Sequence, residues 1–181
     1  MQTDGLTEVK LSSDKIYDGA IVHLEKWQVR LPNGRTASRE VIRHVGAAAV
    51  VAVDDSGRVC LVRQYRAPLG RVTLEIPAGK LDQFGADRFE TAVRELKEET
   101  GLSAEKWTHL GDIATTPGFC DEIIGLYLAR GLSSGQTHPD EDEFLNVEFI
   151  PFAKAIEMVY SGKIQDAKTV SALLLAQPRL A

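Results

Sequence analysis

Cysteine is nearly absent from this chain of 181 residues: Cys60 and Cys120 are the whole supply. They stand far apart, so neither a disulfide framework nor a Cys-based metal site is expected, and both read as reduced and structural. Long apolar runs are missing too. The longest, Ala47 to Val53, falls well short of the roughly 20 residues that span a bilayer. The first residues, Met1-Gln2-Thr3-Asp4-Gly5, have no basic region leading into an apolar stretch, so no signal peptide is expected and the localisation read from the sequence is cytoplasmic. Positive charge is in deficit. A net charge of −5 argues against non-specific binding to nucleic acid or anionic membranes. It leaves open a phosphate-bearing small molecule, because bound divalent cations invert the field of an acidic site. Neither Gly-x-Gly-x-x-Gly nor a P-loop pattern occurs, which removes the usual dinucleotide and nucleoside triphosphate readings. His23, His44, His109 and His138 share no metal-ligand spacing and read as structural.

What is present is the composition of a soluble globular domain, 44% hydrophobic and 26% charged, enough to bury a core without staples. Residues 20–31 and 35–44 form a hairpin around the Pro32-Asn33-Gly34 turn. The unbroken run Ala47 to Val53 predicts a strand buried on both faces. Further strands are expected over 59–65, 72–76, 107–114, 123–129 and 145–150, with closing helices over 152–161 and from about Asp166 to just before Pro178. The order is mixed α/β and not a regular βαβ series. One further helix has clear limits: Asp87 as N-cap with Glu90 completing a capping box, and Gly101 as the stop.

That helix carries Arg94-Glu95-Leu96-Lys97-Glu98-Glu99-Thr100-Gly101. At roughly 100° per residue, Glu95, Glu98 and Glu99 share an arc of roughly 100° beside the apolar stripe of Phe89, Ala92, Val93 and Leu96. Like charges at these spacings repel, so a positive partner is required. An isolated acidic helix ordinarily satisfies this by pairing with its own Arg94 and Lys97 as a solvated face. A hard divalent cation such as Mg²⁺, which prefers oxygen ligands and binds beside phosphates, is the other solution.

Context favours the second. Gly79 followed by Arg94-Glu95-Leu96-Lys97-Glu98-Glu99-Thr100-Gly101-Leu102 resembles the Nudix box, a loop–helix–loop motif that binds metal and cleaves substituted diphosphates. Leu74-Glu75-Ile76-Pro77-Ala78-Gly79-Lys80, the Thr116-Pro117-Gly118-Phe119 loop with Asp121-Glu122, and the C-terminal Gly162-Lys163-Ile164 resemble the ADP-ribose pyrophosphatase branch of that family. The resemblance implies an α/β/α Nudix sandwich with a mixed sheet. It further implies an N-terminal β-rich arm, residues 1–45, that builds a homodimer, and a hydrolase domain over 46–181. The metal, Mg²⁺ or Mn²⁺, falls to Glu95, Glu98 and Glu99 with the backbone carbonyl of Ala78. Glu98 either completes the metal cluster or orients it for catalysis. The general base falls on an acidic loop, Glu141 first and Glu143 second. Arg66 and Arg39 map onto diphosphate or ribose contacts, and Glu122 onto the terminal ribose. Trp27, Tyr17 and Phe119 are alternatives for stacking on adenine.

In one respect the chain departs from the box. The family glutamate that supports the helix and its arginine is replaced here by Ala86, and the segment between Gly79 and Gly85 is one residue longer. Arg94 then needs a substitute partner among Asp82, Asp87 and Glu90. The implied function is hydrolysis of ADP-ribose to AMP and ribose 5-phosphate. Two rivals stand beside it: a pyrophosphatase for another nucleoside diphosphate sugar such as GDP-mannose, and a non-catalytic Nudix-like ADP-ribose sensor.

Overall fold

A computed structural model describes residues 5–136 and 144–180. The chain divides into two units, one of residues 1–45 and 116–122, the other of residues 46–115 and 123–181.

The first unit is an antiparallel meander of β1 (Val9–Asp18), β2 (His23–Arg30) and β3 (Thr36–Arg43). Its second turn is closed locally. The Gly34 N–H donates to Leu31 O at 2.9 Å, and the Asn33 side chain accepts from the Arg35 N–H. Residues 116–122 join along β3, with the Ile42 N–H donating to Phe119 O and the Asp121 N–H donating to Ile42 O. Strand β1 was not foreseen. Its sequence, Val-Lys-Leu-Ser-Ser-Asp-Lys-Ile-Tyr-Asp, has neither an unbroken apolar run nor a clean alternation, and every one of its residues is exposed.

The second unit is organised by β4 (Ala47–Ala52), whose six residues are all buried. Successive side chains of a strand point to opposite faces, and the two faces of β4 enter different cores. Ala47, Ala49 and Val51 pack with Ala172, Leu173 and Ala176, while Ala48, Val50 and Ala52 pack with Ala92 and Leu96. The first group lies on α3 (Ala167–Leu180) and the second on α1 (Arg88–Thr100). A strand of small residues thus admits a helix on each side, which makes the α/β/α sandwich. Around β4 run β7 (Ala78–Lys80), antiparallel to it, and β9 (Ile123–Ser134), parallel to it; β8 (Leu102–Ala114) pairs antiparallel with β9. The sheet is therefore mixed. A second sheet holds β5 (Arg58–Arg66) between β6 (Arg71–Glu75) and β10 (Asn146–Pro151), and α2 (Phe152–Tyr160) follows β10.

Two sequence expectations are corrected. Strands β8 and β9 are longer than expected because they pair with each other from Leu102↔Ser134 to Ala114↔Ile123, a tertiary ladder that local propensity does not encode. Helix α3 runs through Pro178 to Leu180 instead of stopping before the proline. A proline in the final turn forfeits one backbone hydrogen bond, a smaller loss than the break it causes mid-helix.

Candidate active site

Helix α1 is fixed at both ends. The Asp87 carboxylate accepts from the N–H groups of Phe89 and Glu90, and Gly101, at φ +69°, donates its N–H to Lys97 O. Among the described residues Glu90 makes no return bond, so only half of the expected capping box forms. The apolar stripe enters the core through Ala92 and Leu96, both fully buried. Register on that stripe sets the depth of each glutamate. Glu99 is 5% exposed, and the side chains of Glu95 and Glu98 are 12% and 40% exposed.

The glycine loop and the glutamates are built against each other. A Cβ on Gly79 would stand 2.0 Å from the Glu95 carboxyl carbon, so only glycine leaves room for that carboxylate. One residue earlier, the Ala78 N–H donates to Glu99 Oε2 at 3.2 Å. The loop end of β7 therefore touches two of the three glutamates. The Arg94 guanidinium lies 2.8 Å from Glu95 and 2.7 Å from Glu98, with Asp82 at 3.5 Å and a bond to Lys80 O at 3.4 Å. Burial works against its charge, but Glu95, Glu98 and Asp82 outweigh this and raise its pKa. Of the three substitutes for the absent box glutamate, Asp82 is the one near Arg94, whereas Asp87 is spent on capping.

Three carboxylates thus surround one guanidinium, with Glu99 buried against the Ala78 N–H beside them, leaving the cluster short of positive charge. Among the described residues no three Asp, Glu, His or Cys side chains are gathered closely enough to hold a metal ion. The donor set nevertheless fits a hard cation in kind. It is all oxygen, in carboxylate excess, and seated against Gly79, where a Cβ would collide with the Glu95 carboxylate.

A second charged cluster was not read from the sequence. Glu75, 2% exposed, is held by Arg66 through Nε at 2.8 Å and Nη2 at 2.6 Å, by Lys168, and by the Thr73 hydroxyl. Burial resists ionisation of Glu75, yet Arg66, Lys168 and Thr73 prevail and hold its pKa at about 2. Asp166 accepts from Lys168 and from the backbone and hydroxyl of Thr169, whose hydroxyl oxygen in turn accepts from the Ile76 N–H. An acid set between the apolar Leu74 and Ile76 was the available signal, since a buried carboxylate demands cations.

In the first unit, Arg39 is engaged by Glu8 (Nε to Oε2, 3.1 Å). Both line a cavity of about 360 Å³ together with Trp27 and Phe119. Lys10 lies 3.9 Å over the Trp27 ring. Tyr17 is instead folded against Gly19, where a Cβ would stand 2.6 Å from its ring. Glu122 lies 3.4 Å from His44 Nδ1. His23 and His109 pair with Asp18 and Asp112. Glu141, Glu143 and His138 lie outside the described residues. Cys60 is buried and Cys120 half-buried, and both are free; burial and the nearby Glu99 push the Cys60 thiol up to about 12. Among the described residues no helix is long and apolar enough to cross a membrane.

Comparison with known proteins agrees with this geometry. The NUDIX domain family matches residues 42–173. A methanol dehydrogenase activator of Bacillus methanolicus is 43% identical, over 94% of this chain and 92% of that protein. An ADP-ribose pyrophosphatase of Bacillus subtilis (strain 168) is 42% identical, over 95% of this chain and 94% of its own length. A crystal structure of an ADP compounds hydrolase superposes with a TM-score of 0.84 at 25% identity, covering 97% of this chain and 95% of that one. With the glutamate helix seated on its glycine loop and the family matching well over half its length, the chain belongs to the Nudix family, whose hydrolases generally use a divalent metal.

Proposed function

We propose that this protein hydrolyses the diphosphate of ADP-ribose, giving AMP and ribose 5-phosphate, with Mg²⁺ as its metal and Mn²⁺ as a substitute. The observation that carries the reading is the fit of Glu95 into the space left by Gly79, with Glu99 tied to the adjoining Ala78 N–H. Glu95, Glu98 and Glu99, with the Ala78 carbonyl, would hold the cation. When bound, a divalent cation neutralises phosphate oxygens and lowers the pKa of the attacking water.

The rest falls to the protein's own groups. Arg66 has Nε and Nη2 committed to Glu75, so its orientation is fixed and its Nη1 group serves the diphosphate. Glu141, with Glu143 as second choice, takes the proton of the water as it attacks phosphorus and the bridging P–O bond breaks. Within the first unit, the cavity of Trp27 and Phe119 has the chemistry for a purine face, with Arg39 on its wall as the proposed diphosphate or ribose contact, and Glu122 remains the proposed contact to the terminal ribose.

We also propose a homodimer built through residues 1–45, with residues 46–181 as the hydrolase domain. Strand β1 pairs only with β2 among the described residues, and it exposes Val9, Leu11 and Ile16 to solvent. A long open edge bearing apolar side chains calls for cover. Light scattering of the purified protein tests this, and a monomer at micromolar concentration rejects it.

The function is tested by incubating the protein with ADP-ribose and Mg²⁺ and resolving the nucleotides. AMP that appears with Mg²⁺ and disappears with chelator is the expected result. Turnover of GDP-mannose alone, or binding of ADP-ribose without AMP, would overturn the reading in favour of one rival or the other.

A further inference from the structure

We propose that Asp82 is a positioning residue of the cation site: it is the seat to which Arg94 withdraws when a divalent cation takes Glu95 and Glu98. This rests on the hydrolase reading above, and it gives a task to an acid that lies outside helix α1.

Arg94 contests the oxygens that the cation would use. Its Nη2 lies 2.8 Å from Glu95 Oε1, and its Nη1 lies 2.7 Å from Glu98 Oε2. Those are two of the three carboxylates proposed to hold the metal. A guanidinium does not give up its proton in a protein, so its charge can be moved but not shed. A divalent cation brought to the same two carboxylates meets a like charge at close range, which opposes its binding.

The local geometry offers a direction of retreat. Nη2, the nitrogen that touches Glu95, also lies 3.4 Å from Lys80 O and 3.5 Å from Asp82 Oδ1. Both distances exceed the roughly 2.7–3.2 Å of a full hydrogen bond, so a small swing of the guanidinium tightens them while loosening its hold on Glu95. Asp82 can move to meet it, because 79% of its side chain is exposed. The other acids nearby in sequence do not serve. Asp87 caps α1, position 86 is an alanine, and Glu90 makes no pair with Arg94 among the described residues. Without Asp82, the Arg94 charge would rest on the glutamates of the cation site alone.

One guanidinium therefore has two places. On Glu95 and Glu98 it quiets the repulsion of two acids at i,i+3 spacing. On Asp82 and the Lys80 carbonyl it leaves both glutamates to the cation at full charge. Exposure suits Asp82 to the second role, since a solvated carboxylate holds its partner weakly enough to release it again.

Mn²⁺ binding to the full chain, followed by electron paramagnetic resonance without substrate, tests this whichever diphosphate is cleaved. Asp82→Asn should weaken Mn²⁺ roughly fivefold, about 1 kcal/mol. Its thermal melt in chelator should match wild type, because Arg94 keeps Glu95 and Glu98. Asp82→Glu, which restores the charge, should recover the affinity. In an Arg94→Gln background Asp82→Asn should have no further effect, since the group it acts through is gone. A loss that persists in that background means that Asp82 draws the cation by itself, and overturns the handover. Wild-type affinity in Asp82→Asn overturns the role of Asp82 and leaves the cation site standing. A wild-type protein that binds no Mn²⁺ overturns the cation site, and the role of Asp82 falls with it.

Discussion

Two charged clusters of the second unit use the same residue types to opposite ends. Around Arg94, the acids Glu95, Glu98 and Asp82 share one guanidinium, and the neighbouring Glu99 is buried against the Ala78 N–H; the surplus is negative. Around Glu75, the cations Arg66 and Lys168 close on a buried carboxylate. A cluster that balances itself, as Glu75 does, is a structural clamp. One that cannot balance itself is an invitation to a ligand of the missing sign. Net sign, more than the count of charged residues, separates the proposed cation site from the Glu75 clamp.

The largest effect should come from breaking the acidic cluster at its most buried member. Glu99→Gln keeps shape and an acceptor for the Ala78 N–H but removes one charge of the proposed metal site. We expect AMP release to fall by about 1,000-fold or more, about 4 kcal/mol in the barrier, with the thermal melt little changed. A fully active Glu99→Gln enzyme contradicts the assignment.

Next in size is Glu75→Gln, which tests whether the other cluster is indeed a clamp. The folded-state pKa of Glu75 is lowered to about 2 from an ordinary 4.5. A lowered carboxylate pKa means that its stabilisation is complete above pH 4.5 and drains away as the pH falls towards 2. The shift corresponds to about 3 kcal/mol at neutral pH, reduced to about 2 because Arg66 is partly exposed to solvent. Urea denaturation at pH 7 should show that deficit in the variant, and the gap to wild type should narrow by pH 3. A gap independent of pH would mean that packing, not charge, sets the role of Glu75.

Gly79→Ala attacks the fit between loop and helix. Its Cβ would meet the Glu95 carboxyl carbon at 2.0 Å, so the carboxylate must swing away. Mn²⁺ affinity, followed by electron paramagnetic resonance, should drop roughly tenfold, about 1.4 kcal/mol, in a protein that still folds. Unchanged affinity would show that Glu95 need not sit where Gly79 admits it.

The contrast between the clusters also explains what the sequence could disclose. The acidic cluster lies on one helix, where Glu95, Glu98 and Glu99 share a face by periodicity alone, and its limits, Asp87 and Gly101, announce themselves by residue type. Strand β4 was equally plain, because an unbroken apolar run has one meaning once both faces are buried. Glu75 was visible as an oddity, but its partners lie at positions 66 and 168, brought together by strand pairing and by the docking of α3. No periodicity encodes a contact across 93 residues. Strand β1 was overlooked because its burial pattern has no period to read.

The smallest effect is expected where the chain departs from its family, and it sharpens the comparison most. Ala86→Glu restores a carboxylate at the position where the Nudix box has one. If Arg94 were unsatisfied, that carboxylate would be worth a great deal. It is not: Glu95 and Glu98 both lie within 3 Å of it, and Asp82 stands behind them with 79% of its side chain exposed. A new glutamate would compete for a guanidinium already in place, and a partly exposed pair is worth about 1 kcal/mol or less. The kcat/KM should therefore move by less than about tenfold. Its sign is informative, because drawing Arg94 away from Glu95 and Glu98 frees both for the cation and should lower the Mg²⁺ concentration at half-maximal rate. A gain of several orders of magnitude would mean that Arg94 is now a brake on the acidic cluster and not merely its counter-ion.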